Sequence, residues 1–345
     1  GVPLTIPFIQ AALQRGIPLS NDSQIFLEAC PAQVIGITGS SGKTTTTALV
    51  GLMAQKYFEM KQNGHRAWVG GNIGNPLIEQ VDQIDEDDLV VLELSSFQLE
   101  LMTRSPQIAA ILNITPNHLD RHGSMQAYIA AKSRILRFQH AGDVAILNRD
   151  DPGSWSLAEH LKSDLISFGF QKPDSKQNGT YIYKDAIWLQ LGRESLKMLP
   201  LEWIQLPGRH NIANVLAACA IAAAASLALP AIQTAIEEFT GIPHRLEFIR
   251  NINGADWYND SIATAPERTM AAIEAFEGPL VLLLGGRDKN LPWDDLAQLI
   301  HQRVRAVVLF GEAAGLIEKA LKKKKKGKTL QVISRCNTLE EAVQA

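Results

Sequence analysis

From residue 34 onward, short apolar runs alternate with longer segments whose apolar positions recur at helical spacing. The first run, residues 34–37, is followed by a Gly/Ser-rich stretch and then by a helix-compatible segment, residues 44–55. Further runs at 66–69, 89–94, 108–114, 144–148 and 165–168 predict strands. Near-continuous apolar strands separated by helices predict a parallel sheet covered on both faces. Residues 179–191 alternate in polarity instead and predict a hairpin insertion. Gly208-Arg209-His210-Asn211 then opens an Ala-rich stretch, with residues 215–229 read as a buried helix.

A second strand and helix series follows Gly241-Ile242-Pro243-His244-Arg245. Strands are predicted at 246–250, 280–284, 306–310 and 330–333, and helices at 266–276, 293–303 and 313–321. Residues 6–16 and 23–30 predict two short helices with too little apolar surface for a core of their own. The predicted fold class is therefore α/β. A central P-loop-type parallel-sheet domain, residues 33–241, is followed by a second open α/β (Rossmann-like) domain, residues 242–345. Residues 1–32 are read as a linker and the remnant of a preceding domain. The chain opens at Gly1 without a methionine and stops at Ala345 inside a predicted helix, so both ends are expected to continue.

Composition narrows the class without deciding it. A chain of 345 residues with 46% apolar content supports two or three cores, and a net charge of −3 gives no global attraction to nucleic acid or anionic membrane. The lysines at 322–326 suit a solvated loop after a helix, or else a basic binding tail, though no aromatics interleave with them. Cys30, Cys219 and Cys336 lie far apart with no C-x-x-C pair, which favours a reducing cytoplasm over a disulfide scaffold or metal knuckle. The longest apolar run, 215–229, is too short and too Ala-rich to span a bilayer.

The richest chemistry lies in Thr38-Gly39-Ser40-Ser41-Gly42-Lys43-Thr44-Thr45. Glycines between a strand and a helix let backbone N–H groups converge on an anion, a lysine neutralises outer phosphates, and Thr44 offers a hydroxyl to Mg²⁺. The strict G-x-x-x-x-G-K-[ST] pattern asks for glycine where Ile37 stands, and a plain turn remains the other reading. In open α/β sheets ligands gather beyond the carboxyl ends of the strands. Those ends carry Gly70-Gly71-Asn72-Ile73-Gly74, Glu93 with Ser95, Ser96 and Gln98, and residues 113–120 with His118. A carboxylate inside an apolar strand needs a cation, so Mg²⁺ is one partner for Glu93 and a hydrogen bond to the glycine loop is the other. Taken singly, His118 reads as a loop histidine and Lys132 as a surface lysine.

Read together, these pieces resemble the Mur ligase family, ATP-dependent amide-bond-forming enzymes of peptidoglycan precursor synthesis. The resemblance runs from about residue 34 to the end. It rests on the phosphate loop, Leu92-Glu93-Leu94-Ser95-Ser96-Phe97-Gln98-Leu99, His118-Leu119-Asp120-Arg121-His122-Gly123, Ala130-Ala131-Lys132, Gly208-Arg209-His210-Asn211, Pro243-His244-Arg245 and Asn259-Asp260-Ser261. Within the family the set is most similar to the member that joins D-glutamate to UDP-N-acetylmuramoyl-L-alanine. The D-N-P-R signature of a diaminopimelate- or lysine-adding ligase is absent, and Gly285-Gly286-Arg287-Asp288-Lys289 stands in the last domain instead.

The resemblance implies ATP and two Mg²⁺ as cofactors, with UDP-N-acetylmuramoyl-L-alanine and D-glutamate as substrates, in a cytoplasmic monomer that binds neither nucleic acid nor membrane. It places Gly39, Ser40, Ser41, Gly42, Lys43, Thr44 and Thr45 around the phosphates. Thr44 and Glu93 go to one Mg²⁺, and His118 with a carbamylated Lys132 to the other. Lys43, Glu93, His118 and Lys132 form the catalytic set. Asn72, Ser95 and Gln98 are implied at the muramoyl-alanine end, Asn211 and Asn214 at adenine, and Arg245 and Asp260 at phosphate and ribose across a cleft between the domains. ATP converts a carboxylate, a poor electrophile, into an acyl phosphate that the D-glutamate amine attacks, so the protein supplies charge and alignment rather than a nucleophile.

One departure stands out: most relatives read N-D-S-K-A-T-N, and here Asn259-Asp260-Ser261-Ile262-Ala263-Thr264-Ala265 has isoleucine in the lysine's place. Thr264 and Lys289 are then expected on a D-glutamate carboxylate, with Arg287 restoring the lost charge. Another Mur ligase or a folylpolyglutamate synthase-like ligase is the alternative within the class. A P-loop ATPase switch is the alternative outside it, although the strand that would carry its Walker B aspartate ends in Glu93-Leu94-Ser95-Ser96.

Overall fold

A computed structural model describes residues 6–72, 76–116, 122–287, 291–324 and 329–345. The chain divides into two compact units, Gly1–Leu206 with His210–Thr240, and Pro207–Arg209 with Gly241–Ala345.

The first unit is built on a 9-stranded sheet in the order β2-β3-β1-β4-β5-β6-β7-β8-β9. Its strands are β1 (Gln33–Thr38), β2 (Ala67–Gly71), β3 (Leu89–Glu93), β4 (Ile108–Ile111), β5 (Val144–Asn148), β6 (Asp164–Phe168), β7 (Asn178–Tyr183), β8 (Ala186–Leu191) and β9 (Glu194–Pro200). β1 is central, pairing in parallel with β3 on one side (Ile35 opposite Val91) and with β4 on the other (Ile35 opposite Ile108). The strands that the apolar runs predicted are all present, and Ile35, Val90, Val91, Ala109 and Ile146 are buried, as strands covered on both faces require. Chain order places β2 and β3 to one side of β1 and β4 to the other. The carboxyl end of β1 therefore lies at a topological switch point, where ligands of open α/β sheets bind.

The segment 179–191, expected as an inserted hairpin, forms that hairpin from β7 and β8, and the hairpin extends the same sheet. β7 pairs in parallel with β6 (Ile166 opposite Asn178), and β8 and β9 continue it antiparallel. Gly179, Thr180 and Tyr181 are buried in succession, so β7 is covered on both faces, and the Thr180 hydroxyl donates to the Leu216 carbonyl at 2.8 Å under the Ala-rich helix Arg209–Ala224. That helix is buried along nearly its whole length, which explains its small side chains. Among the described residues no helix is long and apolar enough to cross a membrane.

The short N-terminal helices form at Pro7–Gln14 and Asp22–Ala29. Asn21 caps the second by accepting from Gln24 N at 2.8 Å. Phe26 and Leu27 of this helix enter the cluster that holds Val34, Val90 and Leu92, each contributing roughly 1.5–3 kcal/mol through burial. Polar ties reinforce the contact: Asn21 Nδ2 donates to the Gln98 carbonyl at 2.7 Å, and Thr103 N donates to Gln24 Oε1 at 2.8 Å.

The second unit holds a three-stranded parallel sheet, β12 (Leu280–Leu284), β13 (Val304–Leu309) and β14 (Val332–Arg335), with helices Pro266–Glu274, Asp294–Arg303 and Ala314–Lys323. The run at 246–250 does not open this sheet. It forms β10 (Glu247–Ile252), which pairs antiparallel with β11 (Ala255–Asn259) in a sheet of its own. The turn residues Asn253 (φ 52°) and Gly254 (φ 83°) are both left-handed, the conformation that an Asn-Gly hairpin selects.

Candidate functional site

The site grows from the end of β1. The strand stops at Thr38, the loop 39–42 turns, and a helix begins at Lys43 and runs to Lys61. Gly42 makes the turn at φ 80°, and a side chain there would run into the Asn214 amide, so both backbone and close approach require glycine. Asn113, just beyond β4, holds the loop. Its carbonyl accepts from Ser40 N at 3.0 Å, and its side-chain oxygen accepts from Ser41 N at 2.9 Å. Ser40 Oγ donates to the Thr115 carbonyl at 2.9 Å and lies 3.0 Å from the Tyr128 hydroxyl. The first-turn amides of a helix have no partner within it, so the helix start beside Thr44 and Thr45 presents donors and partial positive charge to an anion.

Two lysines converge behind the loop. Lys43 Nζ and Lys132 Nζ each donate to the Gly39 carbonyl at 2.9 Å, and Lys132 Nζ also lies 3.3 Å from Thr38 Oγ1. Lys132 comes from the helix Met125–Arg137 and is only 1% exposed, so it is no surface lysine. Its ammonium lies 4.9 Å from the centroid of the Tyr128 ring, one helical turn earlier. Burial pushes the Lys132 pKa down to about 7, Lys43 adds to the fall, and Glu93 opposes it.

Glu93 closes β3 and is 2% exposed. Its Oε1 accepts from Asn72 Nδ2 at 2.8 Å, while Asn72 N donates to the Glu93 carbonyl at 2.8 Å. Gly71, at φ 99°, lies so close to the Glu93 backbone that a β-carbon would overlap it. Glu93 Oε2 is buried without a hydrogen-bond partner among the described residues. Such an oxygen costs roughly 1–3 kcal/mol or more, which a cation would offset. The hydrogen bond to the glycine loop is present at one oxygen, and the other is of the type a hard divalent cation takes. Among the described residues no group of three or more His, Cys, Asp or Glu gathers at a metal-binding distance, and His118 lies outside them.

Other predicted site residues sort themselves by position. Asn211 and Asn214 are both 7% exposed on one face of the helix Arg209–Ala224, with Asn214 Nδ2 donating to Asn211 Oδ1 at 3.1 Å. Ser95 and Gln98 form a capping box, in which Ser95 N donates to Gln98 Oε1 at 2.9 Å. Gln98 Nε2 donates to Ser23 Oγ at 2.8 Å, so both ends of that amide are bonded within the protein.

In the second unit, Asp260 Oδ1 accepts from Leu246 N at 3.1 Å. Burial raises its pKa, and this hydrogen bond, Arg245 and Arg268 oppose the rise. Thr264 is exposed beside Ile262, whose carbonyl accepts from Arg268 Nη1 at 3.1 Å. Arg287 is exposed beyond β12, and Lys289 lies outside the described residues. Sequence reasoning passed over Tyr128, although its spacing of four from Lys132 on a helix was a signal. It also gave Asn113 no role beyond marking a strand end.

A strand, a glycine turn, a helix start, two convergent lysines and a buried carboxylate at a switch point have the arrangement of a phosphate loop in an open α/β domain. The Mur ligase middle domain matches residues 37–222, and the Mur ligase glutamate ligase domain matches residues 244–345. The UDP-N-acetylmuramoylalanine--D-glutamate ligase of Symbiobacterium thermophilum is 43% identical over 324 residues, spanning 94% of this chain and 70% of that protein. The enzyme of the same name from Acetivibrio thermocellus is 40% identical over 347 residues, spanning 100% of this chain and 72% of its own length. In fold, the chain is similar to the MurF ligase of Thermotoga maritima in complex with ADP, with a TM-score of 0.61, 17% identity, and coverage of 90% of this chain and 73% of that one. This chain belongs to the Mur ligase family.

Proposed function

We propose that this chain is an ATP-dependent, ADP-forming ligase that joins D-glutamate to UDP-N-acetylmuramoyl-L-alanine in peptidoglycan precursor synthesis, in the cytoplasm. The family supports the reaction class, and relatives at 40–43% identity that bear the name of this reaction support the substrates. The observation that carries the reading is the buried Glu93 carboxylate, with one oxygen held by Asn72 and the other without a partner among the described residues, on the strand beside a phosphate loop backed by Lys43 and Lys132.

Lys43, freed from the Gly39 carbonyl by an incoming phosphate, neutralises the β and γ phosphates, while the helix-start amides hold the anion. Asn211 and Asn214 face adenine, and Arg245 and Asp260 serve phosphate and ribose. Thr44, Glu93, His118 and a carbamylated Lys132 would hold Mg²⁺ at two sites, where it would neutralise charge between the substrate carboxylate and the γ-phosphate. The carboxylate of the muramoyl-alanine substrate takes the γ-phosphoryl group from ATP and ADP leaves. The amine of D-glutamate then attacks the acyl carbon and phosphate departs with the electron pair of the broken C–O bond. Asn72 positions Glu93, and Ser95 shapes the muramoyl-alanine end. Thr264, Arg287 and Lys289 are assigned to the D-glutamate carboxylates, covering for Ile262. The test is to follow ADP release while each substrate is omitted in turn. Release that needs both acceptors supports the ligase, and release with neither supports an ATPase switch.

A further inference from the structure

Beyond Glu93, a line of side chains leads from the end of β3 back to the phosphate loop. The His122 ring, with its side chain 1% exposed, places Nδ1 3.0 Å from Glu100 Oε1 and Nε2 2.9 Å from Ser96 Oγ. A carboxylate only accepts, so Nδ1 donates to Glu100, and Nε2 pairs with the Ser96 hydroxyl. The order acid, imidazole, hydroxyl is that of an activated nucleophile. Ser96, however, is 3% exposed at the start of the helix Ser96–Leu99, and this burial closes its hydroxyl to a substrate carbonyl. The ring itself is used differently. It stacks on Phe97 at 5.1 Å between centroids with planes 6° apart, and meets the Tyr128 ring at 5.0 Å and 53°. Tyr128 in turn contacts Ser40 Oγ through its hydroxyl and Lys132 through its ring.

We propose that His122 is a positioning residue for the phosphate loop. Bridged between Ser96 and Glu100 and seated between Phe97 and Tyr128, it fixes Tyr128 where the phenol holds Ser40 and the ring backs Lys132. It touches neither nucleotide nor substrate and acts through Tyr128. The inference rests on the reading of residues 39–45 as the ATP site. It also explains why Ser40, which the glycine-loop motif leaves variable in type, has three oxygen or nitrogen neighbours here: Tyr128 Oη, the Thr115 carbonyl and Thr115 N, the last at 3.0 Å.

The test uses His122→Phe, which keeps an aromatic ring and removes both hydrogen bonds, and Tyr128→Phe, which removes only the hydroxyl. Steady-state kinetics are measured on the intact enzyme, with calorimetric ATP binding to the wild type in parallel. Tyr128→Phe is expected to raise the KM for ATP about threefold to tenfold, the scale of one neutral hydrogen bond, and to leave the KM for D-glutamate unchanged. His122→Phe is expected to raise it at least as much, and the double variant no further, because both changes act on one contact. Losses that multiply in the double variant, or an unchanged KM for ATP in either single variant, overturn the proposal. Should His122→Phe fail to fold, Tyr128→Phe alone decides by the same criterion. A wild type that does not bind ATP overturns the nucleotide reading and this inference with it. ATP binding by a wild type whose variants are unaltered refutes the inference alone.

Discussion

Lys43 and Lys132 donate to the same atom, the carbonyl oxygen of Gly39, each at 2.9 Å. Two amino groups meet on one acceptor, behind a glycine turn and beside a buried carboxylate, where a helix start already favours an anion. The two lysines differ in kind. Lys43 is partly exposed on the first residue of its helix, whereas Lys132 is fixed by burial.

Lys43→Ala is therefore expected to lower kcat by about 10²–10³-fold, the scale of removing one preorganised donor from a developing charge. The fold should survive, because the side chain fills no core. Thermal unfolding and single-turnover kinetics check both halves. A drop in melting temperature that accounts for the lost rate, or a rate within threefold of wild type, refutes the role.

Lys132 is expected to take up CO₂ as a carbamate near neutral pH. Its pKa of about 7, set first by burial and then by Lys43, leaves a neutral nucleophilic amine above that pH and a protonated one below it. An exposed lysine, with a pKa near 10.4, stays protonated through the same range. In ¹³C-bicarbonate the carbamate carbon signal should rise between about pH 6 and 8 and vanish in Lys132→Arg. A signal that grows only above about pH 9 would show an ordinary surface lysine.

Gly42→Ala and Gly64→Ala separate two costs of replacing a glycine. Both positions have left-handed φ, 80° and 85°, but a β-carbon at Gly42 meets the Asn214 side chain, while one at Gly64 meets nothing within 4 Å. Gly64→Ala should cost about 1–2 kcal/mol from backbone strain alone. Gly42→Ala should cost more and also weaken ATP binding, as measured by denaturant unfolding and calorimetry. Equal costs with unchanged ATP affinity contradict the close approach.

The pattern of apolar runs located β1 and β3 to β6 because these strands are buried on both faces, and burial is written directly into residue type. It was blind to partners. Residues 179–191 read as a hairpin insertion, and the β7–β8 hairpin is there, but alternation says nothing of which neighbour it joins. The β10–β11 hairpin was missed even though Asn253-Gly254 carried its turn. At the site, glycine and lysine positions were legible from the motif, as was Glu93 from its apolar strand. The Asn113 clamp and the contacts of Tyr128 and His122 join segments far apart in sequence, and only folding brings them together.

Asp88, outside the site, is expected to be a stability residue with a defined pH dependence. Arg66 N and Trp68 Nε1 donate to its two oxygens at 2.7 Å each, and Asp85 N donates at 3.1 Å. Burial works to raise its pKa, but these donors outweigh burial and hold it below the usual carboxylate value. A depressed folded pKa contributes stability above the unfolded value, near 3.9, that disappears as pH falls through the folded one. Asp88→Asn should cost about 2–4 kcal/mol at pH 7 and progressively less below about pH 4. A pH-independent difference in urea unfolding contradicts the assignment.

The measurement that bears most directly on the whole account is ATP turnover with both acceptors, each alone and neither. ADP release is expected at full rate only with UDP-N-acetylmuramoyl-L-alanine and D-glutamate together, one ADP per amide bond, and none without the muramoyl-alanine carboxylate. Turnover at the same rate with neither acceptor, or with a different amino acid in place of D-glutamate, would contradict it.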